Sequence, residues 1–152
     1  MFETIYGWLS SLFGGDLDSY LLGYICPTEG IEEAWGASQY IMYGFIALGI
    51  ALAITLIYYY VINHPRFNKW GSWLLMMMLV GVSNLFIGAG ITLSDLWSGN
   101  IGDCLVSGGN GGVDVSTCWM FGLANFCVSI IFFIAFSIGL KWWSTSCKRV
   151  PF

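Results

Sequence analysis

The sequence predicts an all-α integral membrane protein, with three transmembrane helices preceded by an amphipathic N-terminal helical arm. Three observations carry this. Only 9% of the 152 residues are charged and 57% are hydrophobic, whereas soluble domains are about 25% charged. Three apolar runs reach the roughly 20 residues that a helix needs to cross hydrocarbon. None of the three contains Asp, Glu, Lys, Arg or His, so as helices they have no polar face for water. The chain divides into an outer arm, residues 1–37, and a three-helix membrane domain, residues 38–152. The expected spans are 40–62, 70–93 and 119–140, with a Gly-rich outer loop over 96–118.

The arm has a helical period. Phe2, Ile5, Tyr6, Leu9, Leu12 and Phe13 recur at steps of one to four, and Trp8 widens that face, while Glu3, Thr4, Ser10 and Ser11 fall opposite. Gly14-Gly15 breaks the helix. A second short helix follows, capped by Asp16, with Leu17, Tyr20, Leu21 and Tyr24 on one face. Pro27 and Thr28 mark a restart. Glu29, Glu32 and Glu33 suit the first turn of a helix running on into the first span. The apolar face of the arm has two destinations: the lipid boundary of the outer leaflet, or protein, whether a neighbouring subunit or the chain's own spans. The arm has no Lys or Arg to draw it to anionic lipid.

Charge sets the expected topology. All five bases lie in the linker 63–69 and the tail after residue 140, and all nine acids lie in the arm and the loop between the second and third spans. Lys and Arg resist translocation, which puts the N-terminus outside and the C-terminus in the cytoplasm. The membrane is a bacterial inner or plasma membrane, or its organellar equivalent. Trp35, Trp97 and Trp119 near the outer span ends, and Trp70, Trp73, Trp142 and Trp143 at the inner ends, are expected interfacial anchors. Tyr58, Tyr59 and Tyr60 close the first span on its inner side.

Within the spans Asn84 and Asn125 are the strongest polar groups. A buried amide seeks a partner across a helix interface, so an Asn84–Asn125 contact within or between subunits is expected. The other reading is a ring of amides lining a pore between copies. Gly49 and Ala53, Ala47 and Ala51, Gly81, Gly88 and Gly122 are small-residue notches that let helices approach.

Cys104 and Cys118 bracket the Gly-rich loop and are the expected disulfide. Cys26 lies on the same side, leaving open Cys26–Cys104, Cys26–Cys118, a bond between subunits, or three reduced thiols. Cys127 reads as a packing residue, and Cys147, beside Lys148 and Arg149, has the placement of a palmitoylation site.

Several functions are disfavoured. Five scattered bases and a net charge of −4 do not fit nucleic acid. The single histidine and dispersed cysteines do not fit a metal centre. His64, beside Pro65, falls on the opposite side from Asp95, Asp103 and Asp114, which breaks any Ser-His-Asp set. The glycine run 108–112 is not followed by the Lys of a phosphate loop. No cofactor is expected. The sequence therefore points to a non-catalytic multi-pass membrane subunit, partnered by the bilayer and by its own copies or other membrane subunits. The alternative is an oligomeric ion channel lined by polar residues of the second and third spans.

Overall fold

The computed structural model describes residues 2–27, 34–61, 70–106 and 112–141. The expectations for Glu29, Glu32, Glu33, His64, Trp142, Trp143, Cys147 and the glycines 108–111 lie outside these residues. The chain forms short helices α1 (Phe2–Gly7), α2 (Ser10–Phe13) and α3 (Gly15–Leu21). A two-stranded ribbon follows, β1 (Tyr24–Ile25) with β2 (Ala34–Trp35). After it come α4 (Tyr40–Leu56), a π turn (Ile57–Val61), α5 (Trp70–Ser98), the short α6 (Asp103–Val106) and α7 (Val115–Lys141). Three helical stretches, Tyr40–Tyr60, Trp70–Ser98 and Val115–Leu140, are long and apolar enough to cross a membrane.

The most extensive packing is between α5 and α7. Gly81 lies against the Phe126 ring and Gly88 against the Asn125 amide. A Cβ at Gly122 would stand 2.8 Å from the Leu85 carbonyl oxygen and 2.9 Å from Ala89 Cβ, so glycine sets how closely these helices approach. The first span packs chiefly on α7, and its fully buried small residues are Ala47 and Ala51. Gly49 and Ala53 lie on the exposed side of α4, and nothing stands within 4 Å of a Cβ built on Gly49.

The end of α5 at Ser98 and the start of α7 at Val115 differ from the apolar runs. The second helix continues past residue 93 to Ser98 because Asp95 stays within it. It stops in a Schellman arrangement. Gly99 takes φ +73°, its N–H reaches Leu96 O at 3.4 Å, and the Asn100 N–H reaches Asp95 O at 3.0 Å. The third helix begins at Val115, ahead of Trp119, because Asp114 caps it. Asp114 Oδ1 accepts from the Thr117 N–H at 2.8 Å and from the Thr117 and Ser116 hydroxyls at 2.6 and 2.9 Å. Thr117 Oγ1 accepts in return from the Asp114 N–H at 3.4 Å, a reciprocal cap. The Thr117 bonds, then those of Ser116, hold the Asp114 carboxyl down to about 2. A carboxyl depressed on folding contributes stability above its unfolded value and loses it as pH falls through the folded value. Amide exchange at the start of α7 is therefore expected to stay slow at pH 4 and to quicken as pH approaches 2. Asp114→Ala should show the quick exchange already at neutral pH.

The arm does not run into the first span as one helix. Residues 34 and 35 pair with the chain end that follows α3, in register Tyr24↔Trp35 and Ile25↔Ala34. Two further bonds fix the entry to α4, Gly36 N–H to Gly23 O at 2.7 Å and Gln39 N–H to Leu21 O at 2.8 Å. Gly23 takes φ +94°, and a Cβ there would lie 2.8 Å from Gly36 O.

Two aromatic groups expected at the interface turn inward. Trp73 is buried, its ring 5.8 Å from that of Phe133 and its Nε1 donating to Ser137 Oγ at 3.3 Å. A serine on the facing helix gives the indole N–H a partner inside the bundle. Tyr58 and Tyr59 are both buried, rings 5.1 Å apart, and of the three tyrosines only Tyr60 is exposed. The π turn rotates the chain less per residue than an α-helix, so two consecutive rings share the inward side.

Candidate functional site

The arm docks on α4 and α7 at the disulfide-bearing end of the bundle. Phe2 enters the notch at Gly44, where a Cβ would overlap its ring. Its ring stands edge-on to Phe45 at 5.4 Å and to Phe132 at 6.3 Å. One turn later Tyr6 is fully buried. It stacks on Tyr40 at 5.1 Å and 17°, and its hydroxyl donates to Asn125 Oδ1 at 2.6 Å. Asn125 Nδ2 donates in turn to Phe121 O at 3.1 Å. Phe13 and Tyr43 stand edge-on to Phe121 at 5.3 and 4.9 Å. The Tyr40 hydroxyl donates to Asp18 Oδ1, joining α4 to α3. Three arm rings, Phe2, Tyr6 and Phe13, and two polar bonds thus tie the three short helices to α4 and α7.

Of the two destinations open to the arm's apolar face, the structure shows the chain's own spans. The short helices could not persist alone in water, so this contact holds them. Trp8 does not widen the buried face and is 84% exposed. The chain bends after Gly7, with Leu9 N–H to Tyr6 O at 2.8 Å, and this swings Trp8 outward.

Around the dock lies a polar cluster. Tyr20 is buried beside Gln39 and Asp95. Burial chiefly raises the Tyr20 hydroxyl above its ordinary pKa; Gln39 opposes this and Asp95 reinforces it. Burial likewise pushes the Tyr6 hydroxyl up. Both stay neutral donors at physiological pH. The Tyr43 hydroxyl is buried with no hydrogen-bond partner among the described residues.

The disulfide is Cys26–Cys104, not Cys104–Cys118. Asp114 starts α7 early enough that Cys118 lies one turn in, buried and reduced beside Thr92 of α5. The short α6 instead presents Cys104 to the end of β1, where Gly102 leaves room for the Cys26 sulfur. Cys127 is also a free thiol, partly exposed.

The two span amides do not bond each other. Asn84 Nδ2 donates to Val80 O on its own helix at 3.1 Å, and Asn125 is taken by Tyr6 and Phe121. The span hydroxyls do the same: Thr55 donates to Ala51 O at 2.5 Å and Thr92 to Gly88 O at 3.0 Å. Such back-bonding satisfies a polar group where water is absent. Trp35, Trp70, Trp97 and Trp119 are exposed. Among the described residues no three His, Cys, Asp or Glu side chains converge to hold a metal ion.

The sequence reading missed Asp18, Tyr40 and Gly44 as docking residues. A signal existed. Tyr40 and Tyr43 carry hydroxyls inside an apolar run and need partners. The arm holds the nearest polar groups.

The class these features define is a helical protein with three helices able to span a membrane and a disulfide-tied cap at one end. Comparisons with protein-family models, with curated proteins and with solved structures found no match.

Proposed function

We propose that the chain is a non-catalytic three-span membrane subunit that assembles through its helices into a homo-oligomer or a larger membrane complex. Its N-terminus faces outside and its C-terminus faces the cytoplasm. The observation that carries the reading is the division of small residues on α4. Ala47 and Ala51 are used inside the chain, whereas Gly49 and Ala53, four apart, remain on the open side. In a bilayer such a pair lets a second helix approach backbone to backbone. The orientation is supported by the sequence, in which all five bases fall in the linker 63–69 and the tail after residue 140 and none falls in the segments that carry Cys26 and Cys104.

Extraction in mild detergent should give a mass of several chains or of a defined complex. Gly49→Leu with Ala53→Leu should shift it toward the monomer while the disulfide and helix content are retained. A wild-type protein that runs as a lone monomer with no co-purifying partner overturns the reading. For a channel lined by Asn84 or Asn125 the observations are unfavourable, since both are 2% exposed within a single chain. Ion flux through reconstituted protein that falls with Asn84→Leu or Asn125→Leu would restore it.

A further inference from the structure

Two hollows lie along the seam between the arm and α7. The lower one, about 550 Å³, is lined among others by Ile5, Leu9, Cys127, Ile131 and Phe132. Its walls are almost wholly apolar, and its size falls in the range of about 300–1,000 Å³ usual for small-molecule sites. The upper one, about 310 Å³, is polar and includes Ser11, Asp16, Ser116 and Thr117. At about 100° per residue, positions 116, 120, 127 and 131 of α7 fall within one narrow stripe, so the hollows lie end to end along one helix face. From Ser116 to Phe132 the rise is about 24 Å, close to one leaflet of a bilayer about 40–45 Å thick with its headgroups.

We propose that this seam holds one phospholipid of the leaflet that meets the capped end, with an acyl chain in the lower hollow and an amine-bearing headgroup in the upper. Polarity, length and charge agree. The apolar part lies at span depth and the polar part at the start of α7. The upper hollow has one carboxylate, Asp16, and no Lys or Arg on its wall. That favours an ammonium over a net-anionic headgroup. Ser116 and Thr117 donate their protons to Asp114 and Thr117 Oγ1 also accepts from the Asp114 N–H, which leaves the Ser116 oxygen, and one lone pair on Thr117, to accept from an ammonium. The proposal rests on the membrane placement given above, and not on assembly.

The test uses the full chain, reconstituted in vesicles of equal phosphatidylethanolamine, phosphatidylcholine and phosphatidylglycerol, extracted, and weighed by native mass spectrometry. One lipid per chain is expected to survive extraction, with phosphatidylethanolamine over phosphatidylglycerol by about threefold to fivefold, the scale of an exposed ion pair. Asp16→Asn should bring that ratio to about one. Ile131→Trp, which fills the lower hollow, should cut retention about tenfold, the scale of losing one buried aliphatic contact, while the Cys26–Cys104 bond persists. No retained lipid in the wild type overturns the proposal. So does equal retention by folded Ile131→Trp, or phosphatidylglycerol matching phosphatidylethanolamine. Oxidative cross-linking of Cys127 to a second copy's Cys127 would give the groove to that copy and also overturn it. Because lipid is counted per chain, a monomer that keeps its lipid refutes assembly alone.

Discussion

Reducing the Cys26–Cys104 bond, or replacing Cys26 with Ser, is expected to lower the thermal midpoint of the detergent-solubilised protein more than any other single change outside the helices. The bonded residues are 78 positions apart. Closing a loop of that size is worth about 4–5 kcal/mol when chain entropy alone is counted. Helices that persist in detergent before the cap opens restrict the reference state, so about 2–4 kcal/mol is the realistic range. The bond fastens α6 to the ribbon, and the ribbon fixes the entry to α4. Its loss should therefore appear first as faster amide exchange over residues 24–39 and 101–106. Cys118→Ser is the control. It should leave the unreduced peptide map unchanged, whereas a Cys104–Cys118 bond would make it as costly as Cys26→Ser. A free thiol at Cys26 or Cys104 in unreduced protein would sink the assignment.

Tyr6→Ala is expected to release the arm while the bundle stays folded. Truncating a fully buried aromatic costs about 3–5 kcal/mol, and α1 and α2 have only 6 and 4 residues with which to resist. Tyr6→Phe separates packing from bonding. It keeps the ring against Tyr40 but leaves Asn125 Oδ1 buried without its donor, at a cost of about 1–3 kcal/mol. Hydrogen exchange and limited proteolysis over residues 2–21 report the result. The long helices should stay packed, because the contacts at Gly81 and Gly122 do not involve the arm or its hydrogen-bond partner Asn125. An arm as well protected in Tyr6→Ala as in the wild type would show that the dock is held elsewhere.

The three long helices were legible because runs without charge can be satisfied only as buried or lipid-facing helices. The helix ends at Ser98 and Val115 were not. Asp95 reads as a terminator by hydropathy, yet the helix continues until Gly99 supplies a left-handed residue. Asp114 reads as loop, yet it is the cap. Which face of α4 packs inward was also hidden, since a helix apolar all round carries no moment to orient it. The pairs Ala47–Ala51 and Gly49–Ala53 look alike in the sequence and lie on opposite sides. The arm's periodicity was visible, but its destination depended on Tyr40, Phe121 and Asn125, far along the chain. The disulfide expected between Cys104 and Cys118 was wrong for the same reason: spacing along the chain says nothing of which thiols a fold brings together.

The partner of Tyr6 is made 119 residues after it. At a synthesis rate of about 5–20 residues per second, the first helix waits roughly 6–24 seconds for Asn125 to emerge. A segment made before all three long helices is thus among the last to find its place, and a nascent chain arrested before α7 lacks the Phe121 and Asn125 contacts of Tyr6 and Phe13. Biogenesis must shelter that short greasy stretch until α7 arrives.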